Sequence, residues 1–91
     1  MMAQWRVELS EKAESDIKAI DRPVRKRIME ALEWLSDNFD SVVPIPLEGY
    51  WKRFFKLRVG DWRAIYDIDV ADRVLTVHLI DRRDKIYKRK I

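Results

Sequence analysis

Trp51-Lys52-Arg53-Phe54-Phe55-Lys56-Leu57-Arg58-Val59, Gly60-Asp61, and Trp62-Arg63-Ala64-Ile65-Tyr66-Asp67-Ile68-Asp69 form the stretch on which the fold turns. Two strand-like runs flank a glycine-aspartate pair suited to a tight hairpin. Alternation sorts the side chains: Phe55, Leu57 and Val59 on one face of the first run, Phe54, Lys56 and Arg58 on the other. In the second run Trp62, Ala64, Tyr66 and Ile68 oppose Arg63, Ile65, Asp67 and Asp69. One face is therefore apolar and the other carries the cations.

Downstream, Val70-Ala71-Asp72-Arg73 reads as a turn into Val74–Ile80, a β-branched run suited to a central strand. Upstream, Asp37–Tyr50 is a loop broken by Pro44, Pro46 and Gly49. Before it, Val24, Ile28, Ala31, Leu32, Leu35 and Phe39 mark the buried stripe of a long helix that starts around Asp21-Arg22-Pro23. A shorter helix of about ten residues precedes it, with Ser10 as N-cap and Ala13, Ile17 and Ile20 as its stripe. Gln4–Leu9 alternates as an opening strand with Trp5, Val7 and Leu9 inward. These elements predict a single α+β domain over residues 1–91. Two N-terminal helices pack on a mostly antiparallel four-stranded sheet, and a short C-terminal helix or tail is docked by Ile86.

The composition narrows the chemistry. With 91 residues and no cysteine, the chain has no disulfide, thiolate nucleophile or cysteine-bound zinc; its one histidine, His78, excludes paired-histidine sites. His78 lies in an alternating strand, where a hydrogen-bonded structural role is expected. Asp67, Asp69, Asp72, Asp81 and Asp84 read as strand-edge and turn residues, so no metal site is expected. The opening residues lack the apolar core of a signal peptide, and no stretch approaches the roughly 18 apolar residues of a membrane span. A cytoplasmic protein without membrane contact is the expectation.

Charge is unevenly spread. Residues 1–50 hold 7 basic and 10 acidic side chains, a net of −3, and residues 51–91 hold 12 and 6, a net of +6. Lys52, Lys56 and Arg58 fall on one face of the first run, Arg63 lies across the hairpin, and Arg82, Arg83 and Tyr87 return after the last strand. Such a set can hold a phosphate or stabilise charge that develops on its oxygens. The spacing alone fits an ordinary solvated face first, then a passive nucleic-acid-binding face, then a phosphotransfer site.

The segments WRVELS, EKAESDIKAID, PVRKRIMEAL, LEGYWKRFFKLRVGDWRAIYDID and VHLIDRRDKIYKR, with the Lys-Leu-Arg-Val-Gly-Asp-aromatic-Arg-x-Ile-Tyr core at 56–66, resemble the RelE/ParE superfamily of toxins, most closely its RelE branch. The resemblance implies a microbial-ribonuclease-like fold and metal-independent, ribosome-dependent cleavage of mRNA in the A site. It also implies a cognate RelB-type antitoxin, a 70S-type ribosome and mRNA as partners, and no cofactor. Carried over by position, Lys56 assists deprotonation or holds developing charge. Arg63 with Arg82 or Arg83 braces the phosphoryl oxygens, and Tyr87 positions the base or relays a proton. Lys52, Arg58, Lys85, Lys88 and Arg89 are the implied RNA- or ribosome-binding residues. The chain departs from the branch at Phe54, where a second alternate lysine is usual; Lys52 is the nearest same-face replacement. Two other functions share the fold: a ParE-like toxin that poisons DNA gyrase by protein contact, and a non-catalytic domain that only holds nucleic acid or antitoxin.

Overall fold

The computed structural model describes residues 4–91; Met1–Ala3 lie outside the described part. The chain runs β1 (Arg6–Leu9), α1 (Glu11–Lys18), α2 (Arg22–Asp37), β2 (Ile45–Pro46), β3 (Phe55–Val59), β4 (Trp62–Asp69) and β5 (Val74–Arg82), with 3-10 turns at Phe39–Ser41, Gly49–Trp51 and Ile86–Lys88. The sheet order is β1-β5-β4-β3-β2. Its pairs are antiparallel except β1 with β5, where Arg6 stands opposite Val74 and Leu9 opposite Val77 in parallel. The α+β architecture is the expected one. Its fifth strand is a correction to the expected four: β2 forms only two residue pairs, Ile45 with Lys56 and Pro46 with Phe55, at an edge where proline's missing N–H is tolerated.

Local chemistry sets the boundaries. The Ser10 hydroxyl accepts the Ala13 N–H at 3.2 Å and starts α1, while Pro23 sits in the first turn of α2. Phe39 keeps its place in the core from a 3-10 turn beyond the end of α2. Strand β3 begins at Phe55, later than the expected Trp51, because Gly49–Trp51 winds into a 3-10 turn and Lys52-Arg53 completes a bend. Gly60 (φ +59°) opens the two-residue loop between Val59 and Trp62, the left-handed first position that a tight hairpin gives to glycine.

Both helices pack on one face of the sheet. There Ala64, Tyr66, Leu75, Val77 and Ile80 meet Ala13, Ile17, Ile28, Leu32, Leu35 and Phe39, all buried, with Phe55, Leu57 and Val59 at the margin as the alternation predicts. Burial pushes the Tyr66 phenol up to about 12. The opposite face carries a second, small cluster: Ile65 and Leu79 from the sheet, covered by Trp51, Ile86, Leu47 and Phe54. Among the described residues no helix is long and apolar enough to cross a membrane.

Candidate functional site

The open face is organised by register. Lys56 stands opposite Ile65, and Ile65 opposite Leu79; one row further, Arg58 stands opposite Arg63, and Arg63 opposite Asp81. The register of β5 shifts between Ile65 and Tyr66, leaving His78 as the extra residue of a bulge. Its Nε2 lies 2.7 Å from Asp67 Oδ2 on β4, and its ring is edge-on to Phe54 at 5.3 Å. His78 is thus a hydrogen-bonded member of the sheet. Phe54 continues the aromatic contacts to Trp51 at 5.5 Å, and Trp51 continues them to Tyr50 at 4.9 Å. The residue standing where a lysine is usual therefore helps roof the small cluster.

The expected cations separate. Lys56 and Tyr87 do meet: the ammonium lies 5.9 Å from the centre of the Tyr87 ring, which Ile86 carries onto the open face by its complete burial. Arg58 is exposed on the same strand. Arg63 is only 8% exposed, and its Nη1 donates to the carbonyls of Gly60 and Trp62, each at 2.8 Å. It braces the hairpin turn, and its burial there, more than these two bonds, keeps the guanidinium from the open face. Arg82 turns toward the opposite side, its guanidinium 5.8 Å from the Trp62 ring centre and its Nε 3.7 Å from Asp84. Arg83 sits at the hairpin end, with its Nε 3.8 Å from Asp61 and its N–H donating to the Asp61 carbonyl.

Of the expected binding residues, Lys52 lies in the bend before β3, so strand alternation does not carry it to the face of Lys56. Lys85 and Lys88 are exposed on the C-terminal segment, and Lys85 lines a cleft with Asp16, Trp62 and Arg82 on the α1 side. Arg89 is engaged inside the protein: its Nη1 reaches Asp16 Oδ2 at 3.0 Å and Asp81 Oδ2 at 3.2 Å. The hydrogen bond to Asp16 leads the causes that raise the Arg89 pKa above its ordinary value and keep it charged. Lys90, which the sequence reading did not single out, places its ammonium 4.6 Å from the Tyr50 ring centre. Asp16, Asp81 and Arg89 lie far apart in sequence, so no local spacing signals their contact. No group of three or more metal-ligating side chains gathers among the described residues.

What converges on the open face is one lysine, one tyrosine and an exposed arginine, framed by aromatics. The family model described as "ParE toxin of type II toxin-antitoxin system, parDE" matches residues 7–87. The chain belongs to the ParE toxin family. This ParE-family chain shares its fold with solved RelE-type toxins. It is 22% identical to a chain of the toxin-antitoxin complex RelBE2 from Mycobacterium tuberculosis, covering 89% of itself and 100% of that chain with a TM-score of 0.78. Against the isolated RelE toxin of E. coli the figures are 17% identity, 94% and 93% coverage, and a TM-score of 0.69. For the archaeal RelE-RelB complex of Pyrococcus horikoshii they are 18%, 89%, 97% and 0.66. No curated protein matches the chain. Membership of the RelE/ParE toxin-antitoxin superfamily follows from the family match, and the α+β toxin fold from these structures.

Proposed function

We propose that this chain is the toxin of a type II toxin-antitoxin pair, that it acts by protein contact on DNA gyrase, and that an acidic antitoxin neutralises it. The observation that carries the choice of target is Arg63. In the mRNA-cleaving reading this guanidinium braces the reacting phosphate, whereas here its Nη1 is committed to two main-chain carbonyls in a nearly buried position. With Phe54 in the aromatic roof and Arg82 turned to the other side, the open face has lost most of the cations that in-place phosphoryl transfer calls on. A surface that works by contact needs none of them, and the ParE family match supports that reading. Solved relatives crystallised as toxin-antitoxin complexes support the antitoxin partner, as does the +6 net charge of residues 51–91.

Cleavage of mRNA on the ribosome is the second reading, favoured by the Lys56–Tyr87 pair. In that reading Lys56 serves by holding charge that develops on the phosphoryl oxygens. One well-placed group of that kind is worth roughly 3 to 4 kcal/mol. Two parallel reactions separate the readings. The purified toxin is added to gyrase with supercoiled DNA, and to a translation mixture whose message is mapped by primer extension. Trapped gyrase-DNA cleavage complexes with an intact message are the expected result. Ribosome-dependent cuts in the message with unaffected gyrase overturn the gyrase reading and select the second. Neither effect leaves a domain that only holds a partner.

A further inference from the structure

After Asp81 the chain crosses the open face as a strap. Arg83 donates its N–H to the Asp61 carbonyl at 2.8 Å, and from there the strap's main-chain hydrogen bonds are internal: Lys85 to Arg82, Lys88 to Lys85, Arg89 to Ile86. Beyond Arg83 the strap has no main-chain pairing with the body among the described residues and is held by a few other contacts, including the Lys90 ammonium over the Tyr50 ring at 4.6 Å. Ile86 is fully buried beside Trp51, Ile65 and Leu79. Arg89 bridges Asp16 of α1 and Asp81 of β5. One turn before Asp16 on α1, the Lys12 ammonium donates to the Lys90 carbonyl at 3.2 Å.

The bridge is the demanding part of this set. The side chains of Asp16 and Asp81 are only 15% and 25% exposed, and Asp16 Oδ2 also accepts the Ile80 N–H at 2.9 Å. Asp16 is thereby fixed against β5, and Asp81, whose Oδ1 accepts the Arg82 N–H at 2.8 Å, is turned with it toward one point. Without the guanidinium, two partly desolvated like charges face each other with no counter-ion. With it, the strap is pinned three residues beyond Ile86, and Tyr87 is held against Lys56.

We propose that the Asp16–Arg89–Asp81 bridge is a latch. It closes the strap on the open face, positions Tyr87 beside Lys56, and lets the strap open as its own unit while the helices and sheet stay folded. Local opening of this kind is expected where few buried contacts and a single main-chain bond at its root tie a segment down. Arg89 is a positioning residue in this scheme, acting through Tyr87, whichever target the toxin engages.

Native-state trypsin nicking after Lys85 and Lys88 reads the opening directly and needs no target. Urea unfolding reads the body of the domain. In Arg89→Ala, nicking is expected to run about tenfold faster while the urea midpoint stays near wild type. Arg89→Lys restores the charge and is expected to return most of the protection; Asp81→Asn provides a second route to the open strap. Upon induction in cells, Arg89→Ala is expected to arrest growth as weakly as Tyr87→Ala, with Arg89→Lys intermediate. Unchanged nicking in Arg89→Ala overturns the latch, as does a urea midpoint that falls in step with faster nicking. A strap that opens without weakening growth arrest overturns the positioning role. A wild-type chain that does not arrest growth counts against the toxin reading alone, because the nicking result stands apart from it.

Discussion

The two faces of the sheet are built on different terms. On the helix side, five inward residues of β4 and β5 meet six from α1, α2 and the turn at Phe39, and the cluster is continuous. On the open side only Ile65 and Leu79 come from the sheet; Trp51, Leu47, Phe54 and Ile86, which cover them, belong to loops and to the strap. The first face holds the fold together through elements locked by their own main-chain hydrogen bonds. The second is roofed by segments with few such ties, and it is the one that presents Lys56, Arg58 and Tyr87. Stability and the candidate interaction surface therefore sit back to back on the same strands, with alternation as the only divider.

The contrast is testable in order of expected effect. Leu32→Ala, at a 1% exposed position of the helix side, should lower unfolding stability by about 3–4 kcal/mol in a urea titration, the usual cost of such a cavity. Alkaline pH attacks the same face. The Tyr66 phenol titrates at about 12 in the fold against about 10 when unfolded, so its contribution is complete below pH 10 and is lost as pH rises toward 12. Stability should fall by about 2–3 kcal/mol across that window, and Tyr66→Phe should remove that part of the loss. Ile86→Ala empties an equally buried position on the open side, yet should cost only about 1–2 kcal/mol of cooperative stability, because strap opening absorbs the rest. A loss equal to that of Leu32→Ala would break the comparison.

Gly60→Ala isolates the hairpin. Nothing lies within 4 Å of the added carbon, so only the left-handed φ is penalised, at about 1 kcal/mol by the same titration. Lys56→Ala should shift stability by less than about 0.5 kcal/mol. It should raise the induction needed to arrest growth about tenfold, the equivalent of losing one contact worth about 1.4 kcal/mol.

What the sequence made legible was whatever repeats locally. The facing of β3 and β4, the stripes of α1 and α2 and the caps at Ser10 and Pro23 all follow from periods of two or 3.6 and from single residues with fixed roles. Strand β2 was hidden because Pro44 and Pro46 erase any period, and the parallel seat of β1 was hidden because its partner lies at the far end of the chain. The candidate site was harder. Alternation sends Arg63 to the open face but says nothing about the two carbonyls that capture it, and no spacing predicts that Arg89 will find Asp16 and Asp81. Which acid or carbonyl a cation chooses is decided by tertiary approach, which a one-dimensional pattern does not contain.

The parallel pairing of β1 with β5 also fixes an order of events. The strand made last among the sheet's five lies between the one made first and β4, so Arg6–Leu9 has no neighbour until Val74–Val77 has been synthesised. Helices and hairpins can form early from local contacts, but closing this sheet waits on one of its most distant pairings. A nascent chain halted before its final strand holds most of the sequence of the toxin and none of its finished surface.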